Sequence, residues 1–207
     1  ALQFSITAIG IMTVQGALNV FGSSAIAAYT AASKVLQIVM QPAITFGVTM
    51  ATYCGQNLGA KNYIRIKEGV KKCTEISVIT SIIAGIILVF GGKFFVGLFI
   101  ENPDASILAY AQECLNYSAI FFIPLGLIFI YRNALQGMGE SFVPMMAGAF
   151  ELIARAVVAF TLPSFIGYTG ICLADPVAWL SAAIPLGIYY FKKMKSIDII
   201  NWILKTP

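Results

Sequence analysis

Hydrophobic residues fill six long stretches of this chain, and polar residues collect in the short segments between them. A helix that crosses a lipid bilayer needs about 20 mainly apolar residues. The stretches are too long and too continuous for the alternating strands of a membrane barrel. They predict an all-α polytopic membrane protein with six transmembrane helices, at about residues 2–19, 24–55, 74–91, 106–135, 142–165 and 171–191. Pro42 should kink the second helix, because proline removes a backbone donor.

Basic residues collect at alternate junctions between these stretches. The junction at 61–72 carries five of them and the segment after residue 191 carries four, whereas the junctions at 20–24 and 164–170 carry no charge. Because Lys and Arg are retained on the cytoplasmic side, both ends of this segment should lie in the cytosol. We expect residues 1–193 to form the transmembrane region of a multi-pass protein of the cell (inner) membrane.

Two of the basic segments also carry apolar residues at helical spacing. Residues 61–72 predict a short helix lying in the membrane interface. Residues 194–207 predict a cytoplasmic amphipathic tail, with Ile197, Ile200 and Leu204 on one face and Trp202 at the interface. For this tail a solvated loop remains an equally good interpretation.

Composition excludes several classes of function. Only 11% of the residues are charged, against roughly 25% in a soluble domain. The net charge of +4 lies at helix ends and not in one patch, which disfavours nucleic-acid binding. The chain has no histidine, which removes histidine-ligated zinc and Ser-His or Cys-His catalysis. Its four cysteines show no metal-binding or redox spacing, and the sequence does not favour a disulfide between Cys114 and Cys172 although both should lie toward the outer side.

Two similar motifs end the second and fourth predicted helices. Gln56-Asn57-Leu58-Gly59 and Gln136-Gly137-Met138-Gly139 both place glycine where a left-handed helix cap is expected, and each precedes another helix. Helices two-three and four-five are therefore candidates for related hairpins, as internal repeats are common in transporters.

These motifs also carry a resemblance to a known family. Residues 55–60 (GQNLGA), residues 135–140 (LQGMGE) and residues 170–179 (GICLADPVAW) resemble, in order and spacing, the multidrug and toxic compound extrusion (MATE) transporters. The resemblance covers about residues 1–193 and matches the second of two six-helix lobes. It implies a cation-coupled antiporter, not an enzyme, that exports drugs or other organic small molecules, often cationic, by alternating access.

The resemblance also implies partners for this chain. An N-terminal six-helix lobe would supply the other half of the central cavity, so the sequence is expected to be a piece of a longer protein. H⁺ or Na⁺ would be the coupling ion, with no bound cofactor. The sodium-coupled branch carries acidic residues in the first helix and in the middle of the fourth, but residues 2–19 and the region around Pro124-Leu125 have none. The coupling carboxylate is therefore expected in the other lobe, as in the proton-coupled branch.

Ionisable side chains inside a bilayer are costly, from about 2.5 kcal/mol upward, and are functional candidates by default. Together with two neighbouring amides they give the candidate substrate or ion pathway: Lys34, Gln37, Glu113, Asn116, Glu151, Arg155 and Asp175.

Each candidate also has a structural interpretation. Glu151 and Arg155 are four residues apart on one helix and can pair with each other. Asp175 precedes Pro176, the arrangement of an N-cap and first helical residue. Lys34 lacks an opposite charge on its own helix, so it faces either the central cleft or the outer interface. Glu113 and Asn116 would form a polar face, either within the pathway or at an exposed outer edge.

Four other interpretations remain to be compared with an exporter. An intramembrane protease would need a Ser-His pair or paired aspartates, which the sequence lacks, and a channel would need a filter-like repeat. A flippase for lipid-linked or other solutes, of the same superfamily, would need a more basic cavity. A six-helix module that dimerises is the remaining alternative.

Overall fold

The computed structural model describes the backbone of residues 2–205 and the side chains of residue 6 and residues 8–197. Within these residues the chain is helical, with no strand. The helices are α1 (Leu2–Leu18), α2 (Gly22–Val39), α3 (Gln41–Gly59), α4 (Tyr63–Gly97), α5 (Ala105–Ile120), α6 (Phe122–Gly137), α7 (Phe142–Thr161), α8 (Pro163–Ile166), α9 (Tyr168–Cys172) and α10 (Ala174–Lys205). A short 3₁₀ helix, Asn19–Phe21, joins α1 to α2.

These helices follow one another as six units, which agrees with the predicted lobe: α1, α2–α3, α4, α5–α6, α7–α8 and α9–α10. Judged by length and composition, four described stretches can cross a membrane, and a fifth is added if the bent pair α5–α6 is one span. The four are Ala8–Val39, Tyr63–Gly97, Phe142–Ile166 and Tyr168–Ile197. Helix α3 is not among them, since its polar residues lower its hydropathy.

Two of the six units are interrupted near a proline. The second unit is divided at Met40, just before Pro42, in the region where the kink was expected. The fourth unit bends by 55° between α5 and α6. Pro124 has no amide hydrogen, so it cannot bond the carbonyl of Ile120, and α5 ends at that residue. The bend was not predicted.

Helix α4 is much longer than predicted. It begins at Tyr63 and continues to Gly97, so the basic residues at 63–72 form its first turns and not a separate interfacial helix. Asn62 caps it, because its side-chain oxygen accepts a hydrogen bond from the amide of Arg65. The Tyr53 hydroxyl also donates to the Arg65 carbonyl oxygen, 3.0 Å away. The helix therefore extends continuously from the basic junction into the apolar span.

The last helix likewise continues beyond its predicted end. The prediction divided residues 171–191 from a tail at 194–207, but α10 runs unbroken to Lys205. No glycine or proline follows Phe191 before the end of the helix, so nothing in the backbone stops it there. The side chains of Ile200, Trp202 and Leu204, on which the amphipathic face depends, lie outside the described residues.

Helix α4 shows how the lobe is packed against its surroundings. In the middle of the helix the buried positions Ser77, Ser81 and Gly85 are small, whereas Ile79 is 58% exposed and Phe90 is 86% exposed. Small residues let helix backbones approach closely, and an exposed surface of isoleucine and phenylalanine suits lipid. The distribution of residues on α4 is therefore that of a helix at the lipid-facing edge of a membrane bundle.

The two glycine motifs meet where α3 packs against α6. A Cβ atom on Gly137 would lie 2.2 Å from the carbonyl oxygen of Ala51, so only glycine permits this approach of the two backbones. Gly139 adopts the expected left-handed conformation, with φ of +83°. In the first motif the expectation for Gly59 was wrong: Gly59 is helical, and Lys61 carries the positive φ of 54°. The left-handed residue of the first motif thus comes two positions after Gly59, because the Lys61 amide still donates a hydrogen bond to the Leu58 carbonyl.

Candidate functional site

Charged side chains from three helices form one continuous network inside the lobe. Arg155 of α7 donates from Nε to Asp175 Oδ1 of α10 at 2.7 Å and from Nη2 to Glu151 Oε1 at 3.1 Å. The second oxygen of Glu151 accepts a hydrogen bond from Nη2 of Arg132, on α6, at 2.9 Å. The pair expected from the spacing of Glu151 and Arg155 is therefore present, and it is the centre of a larger arrangement.

A fourth helix joins the network through a tyrosine. The Tyr29 hydroxyl on α2 donates to the second oxygen of Asp175 at 2.9 Å. The chain of contacts therefore runs Arg132, Glu151, Arg155, Asp175, Tyr29. We call this set the charge network; it connects α2, α6, α7 and α10.

The first helix accommodates the charge network through a glycine. A Cβ atom on Gly10 of α1 would lie 2.6 Å from Arg155 Nη1 and 3.3 Å from its Cδ. Even an alanine there would require the guanidinium group to move. Glycine at this position therefore leaves the space that Arg155 occupies.

The charge network is buried and its formal charges cancel. Glu151 and Arg155 are 9% and 4% exposed, whereas the Asp175 side chain is 27% exposed. Two guanidinium groups face two carboxylates, and all four carboxylate oxygens have a hydrogen-bond partner. A guanidinium group or the Tyr29 hydroxyl already occupies each carboxylate oxygen, so a cation could bind there only by displacing one of these donors.

The structure corrects the interpretation of Asp175 as a helix cap. Helix α10 begins at Ala174, so Asp175 already lies within its first turn. Its side chain points to Arg155 and Tyr29 and holds α7 and α2 to the start of α10. An ionic partner one helix away is a stronger attraction for this carboxylate than the amides of its own first turn.

Lys34 and Gln37 lie apart from the charge network, on the exposed side of α2. The Lys34 ammonium lies 5.9 Å from the centroid of the Phe99 ring, a cation–π distance, and Phe99 follows the end of α4. Among the described residues, no carboxylate forms an ion pair with Lys34. Lys34 therefore lies near the C-terminal end of α4, which the charge pattern predicts to be on the outer side of the membrane.

Glu113 and Asn116 have separate partners and do not form one site. Glu113 accepts a hydrogen bond from the Thr169 hydroxyl on α9. Asn116 Oδ1 accepts one from Gln112 Nε2 at 2.7 Å, and the same Gln112 amide donates to the carbonyl oxygen of Leu88 on α4. Glu113 thus connects α5 to α9, and Asn116 supports the contact between α5 and α4.

A disulfide bond joins Cys114 of α5 to Cys172 of α9, across 58 residues of sequence. The expectation from the sequence was wrong here, since α5 packs against the short helix α9, with the Tyr110 and Tyr168 rings 4.6 Å apart. Within the part of the chain that the structure describes, no three acidic, cysteine or histidine side chains lie close enough to hold a metal ion.

Sequence reasoning missed two members of the charge network. Arg132 lies within the predicted span 106–135, so the rule that an intramembrane charge needs a partner applies to it and could have found it. Tyr29 carries no comparable signal, because its role follows only from the contact of α2 with the start of α10. The candidates Lys34, Gln37, Glu113 and Asn116 lie outside the charge network, whereas Glu151, Arg155 and Asp175 form its core.

The chain is similar in sequence to known proteins. The chain matches the MatE family over residues 1–161. It is 25% identical over 190 residues to the probable multidrug resistance protein YpnP of Bacillus subtilis (strain 168), a match that covers 91% of this chain and 42% of that protein. The chain thus spans less than half the length of that relative.

Solved structures agree in fold. A multidrug resistance MATE family transporter of the MOP superfamily, in its outward-facing conformation, superposes with a TM-score of 0.87 at 14% identity, over 95% of this chain and 45% of that one. The Vibrio cholerae MATE transporter VcmN in its bent form gives a TM-score of 0.83 at 17% identity, over 96% of this chain and 45% of that one. The fold is therefore shared with slightly less than half of each transporter.

Proposed function

Since this chain belongs to the MatE family, we propose that it is the C-terminal six-helix lobe of a cation-coupled antiporter that exports drugs or other organic, often cationic, small molecules. The observation that carries the proposal is the match of nearly the whole chain to slightly less than half of a MATE family transporter. A second six-helix lobe, N-terminal to this one, would complete the central cleft. Alternating access would then come from rocking of the two lobes about that cleft.

The charge network supports an assignment of the coupling site outside this lobe. Its carboxylates are fully engaged by guanidinium groups and a tyrosine, so little is left to bind H⁺ or Na⁺. We propose that the network fixes the relative positions of its four helices while the lobe moves as a unit. The ion that drives export would bind to a carboxylate of the other lobe.

The exposed face of α2 is the proposed border of the substrate pathway. Lys34 and Gln37 lie on this face, near the predicted outer end of the lobe. A membrane-embedded lysine that has water access near the exit would influence the departure of a charged substrate. Glu113 and Asn116 are proposed to support the helix packing beside this pathway.

The charge of the interior favours an organic substrate over a lipid-linked phosphate. A flippase for phosphorylated lipids would need unbalanced positive charge in its cavity, but Arg132 and Arg155 each face a carboxylate of the charge network. The alternative of a dimerising six-helix module remains open to test through the stoichiometry of the purified protein. We propose a cell-membrane location, with both ends of this segment in the cytosol.

The test is transport by the complete protein reconstituted into liposomes. Efflux of a cationic dye is measured under an imposed proton gradient and, separately, an imposed sodium gradient. We expect efflux with one of the two gradients and none without either. Absence of dye movement under both gradients, with protein shown to be folded, would contradict the antiport proposal.

A separate pair of variants tests whether Lys34 borders the substrate pathway. Lys34→Ala should change the initial efflux rate, because it removes a positive charge from the proposed exit of a cationic dye. Lys93→Ala removes another exposed lysine near the same end of the lobe, on α4, and should leave the rate unchanged. Equal rates in wild type and Lys34→Ala would exclude Lys34 from the pathway.

A further inference from the structure

A second feature, separate from the charge network, is a groove at the end of the lobe that carries the basic residues. It has a volume of about 410 Å³ and lies between α4, α6 and α10. Its lining combines lysines with aromatic and aliphatic side chains: Lys67, Val70, Lys71, Tyr131, Phe191 and Met194. The volume is within the range of small-ligand sites, about 300–1,000 Å³. We call it the basic groove.

The basic groove is charged toward one end and apolar toward the other. Lys67 and Lys71 lie in the first turns of α4, four residues apart and thus on one helix face. Toward the middle of the lobe, Tyr131 stacks on Tyr190 with ring centroids 5.1 Å apart. The Phe191 and Tyr131 rings pack edge to face, with centroids 5.8 Å apart. Two positive charges at the rim therefore give way to an aromatic wall deeper in.

The aromatic wall presents one side chain outward. Tyr131 and Tyr190 are buried, whereas Phe191 is 61% exposed beside the groove. An acyl chain lying against Phe191 would cover apolar surface. The groove thus has room for a headgroup at the rim and for the first part of a hydrocarbon chain below it.

Charge complementarity selects the kind of headgroup. Lys67 and Lys71 lie one helical turn apart on the same face, so the ammonium groups of both can reach one phosphate at the rim. The acidic member of the lining, Glu75, is 3.5 Å from Lys72 Nζ, which partly balances it. Basic pockets between transmembrane helices on the cytoplasmic side suit anionic lipid headgroups.

We propose that the basic groove binds an anionic phospholipid of the cytoplasmic leaflet, with its phosphate between Lys67 and Lys71 and an acyl chain along Phe191. The proposal takes from the proposed function only the orientation of the lobe in the membrane. It does not depend on what the protein transports.

The test is lipid binding to the purified complete protein in neutral detergent, with phosphatidylglycerol as the probe and native mass spectrometry as the measurement. Lys67→Gln with Lys71→Gln should weaken phosphatidylglycerol binding by roughly 10- to 30-fold, since each basic residue near an anionic lipid contributes about a factor of five. The matched control, Arg65→Gln with Lys195→Gln, removes two exposed charges from the same end of the lobe but outside the groove. It should change binding by less than about a factor of three.

Two further variants test whether the charge of the groove and the acyl chain of the lipid each contribute to lipid binding. Glu75→Gln should strengthen binding, because it removes negative charge from the lining. Phe191→Ala should weaken binding of long-chain phosphatidylglycerol and leave binding of glycerol phosphate unchanged. Equal weakening by the groove and control pairs would overturn the proposal. So would glycerol phosphate binding as tightly as the lipid, or the absence of saturable lipid binding.

Because binding is measured without transport, failure of the lipid site leaves the antiport proposal intact. Conversely, lipid binding by a protein that moves no dye would support the groove and contradict the exporter.

Discussion

Replacement of Arg155 by methionine should destabilise the lobe strongly, and a second substitution should restore much of the loss. In wild type the guanidinium group holds Glu151 at 3.1 Å and Asp175 at 2.7 Å. In Arg155→Met, Glu151 keeps Arg132, but Asp175 keeps only the Tyr29 hydroxyl. The variant therefore leaves one carboxylate charged and without an ionic partner.

The magnitude follows from the burial of that carboxylate. Removing one partner of a buried ion pair typically costs about 3–5 kcal/mol. Since the Asp175 side chain is 27% exposed, water will screen part of its charge. We therefore expect a loss of about 3 kcal/mol, the lower end of that range.

Arg155→Met combined with Asp175→Asn should recover about 2 kcal/mol of this loss. The double variant removes both charges, keeps the neutral Arg132–Glu151 pair, and retains an oxygen that accepts from Tyr29. The assay is equilibrium unfolding of the complete protein in mixed micelles, with each single variant measured alongside. Lys72→Met, which breaks the exposed pair with Glu75, is the control and should cost less than about 1 kcal/mol.

The refuting result is additivity. If the double variant loses the sum of the two single losses, the two side chains act independently and the charge network is not a unit. A loss in Arg155→Met no larger than that in Lys72→Met would likewise show that burial of these charges has been misjudged.

Three further predictions concern other parts of the lobe. Gly137→Ala places a Cβ 2.2 Å from a carbonyl oxygen of α3 and should lower thermal stability by about 1–3 kcal/mol, whereas Gly59→Ala, with no atom within 4 Å, should not; equal effects would contradict the packing. Cys172→Ser should lower the free energy of unfolding by about 2–4 kcal/mol. We expect wild type to change its electrophoretic mobility on reduction and Cys172→Ser not to; a wild type whose mobility does not change would refute the disulfide. The hydrogen bond from Lys193 lowers the pKa of Glu140, so this ion pair stabilises the folded protein at neutral pH, by less than about 1 kcal/mol. That stabilisation is lost as the pH falls below the usual glutamate pKa of about 4.3. Glu140→Gln should therefore reduce the pH dependence of the unfolding free energy in this range, and an unchanged pH dependence would contradict the contact.

The fold was largely predictable because bilayer burial imposes long apolar helices on the sequence. The helix ends were less so. Hydropathy marks the apolar part of a helix, yet α4 begins at Tyr63 and α10 extends to Lys205 because polar residues can continue a helix beyond the hydrocarbon layer. The bend between α5 and α6 required attention to Pro124 within an apolar run, where proline does not alter the hydropathy.

The site was predictable only where its members share a helix. The contact between Glu151 and Arg155 follows from their spacing, since residues four apart on a helix face each other. Asp175 and Tyr29 meet across 146 residues of sequence, and no local pattern encodes such a contact. The same applies to the two bonded cysteines, whose proximity depends on how α5 lies against α9.

The disulfide between Cys114 and Cys172 has a consequence for how the protein is made. The two cysteines are 58 residues apart, and on the proposed topology both lie on the non-cytoplasmic side. The bond therefore cannot close until the ribosome has synthesised α9 and the translocation machinery has delivered it across the bilayer. The appearance of the bond during pulse labelling would time the insertion of α9 and α10, and a chain arrested before α9 is made would keep Cys114 as a free thiol.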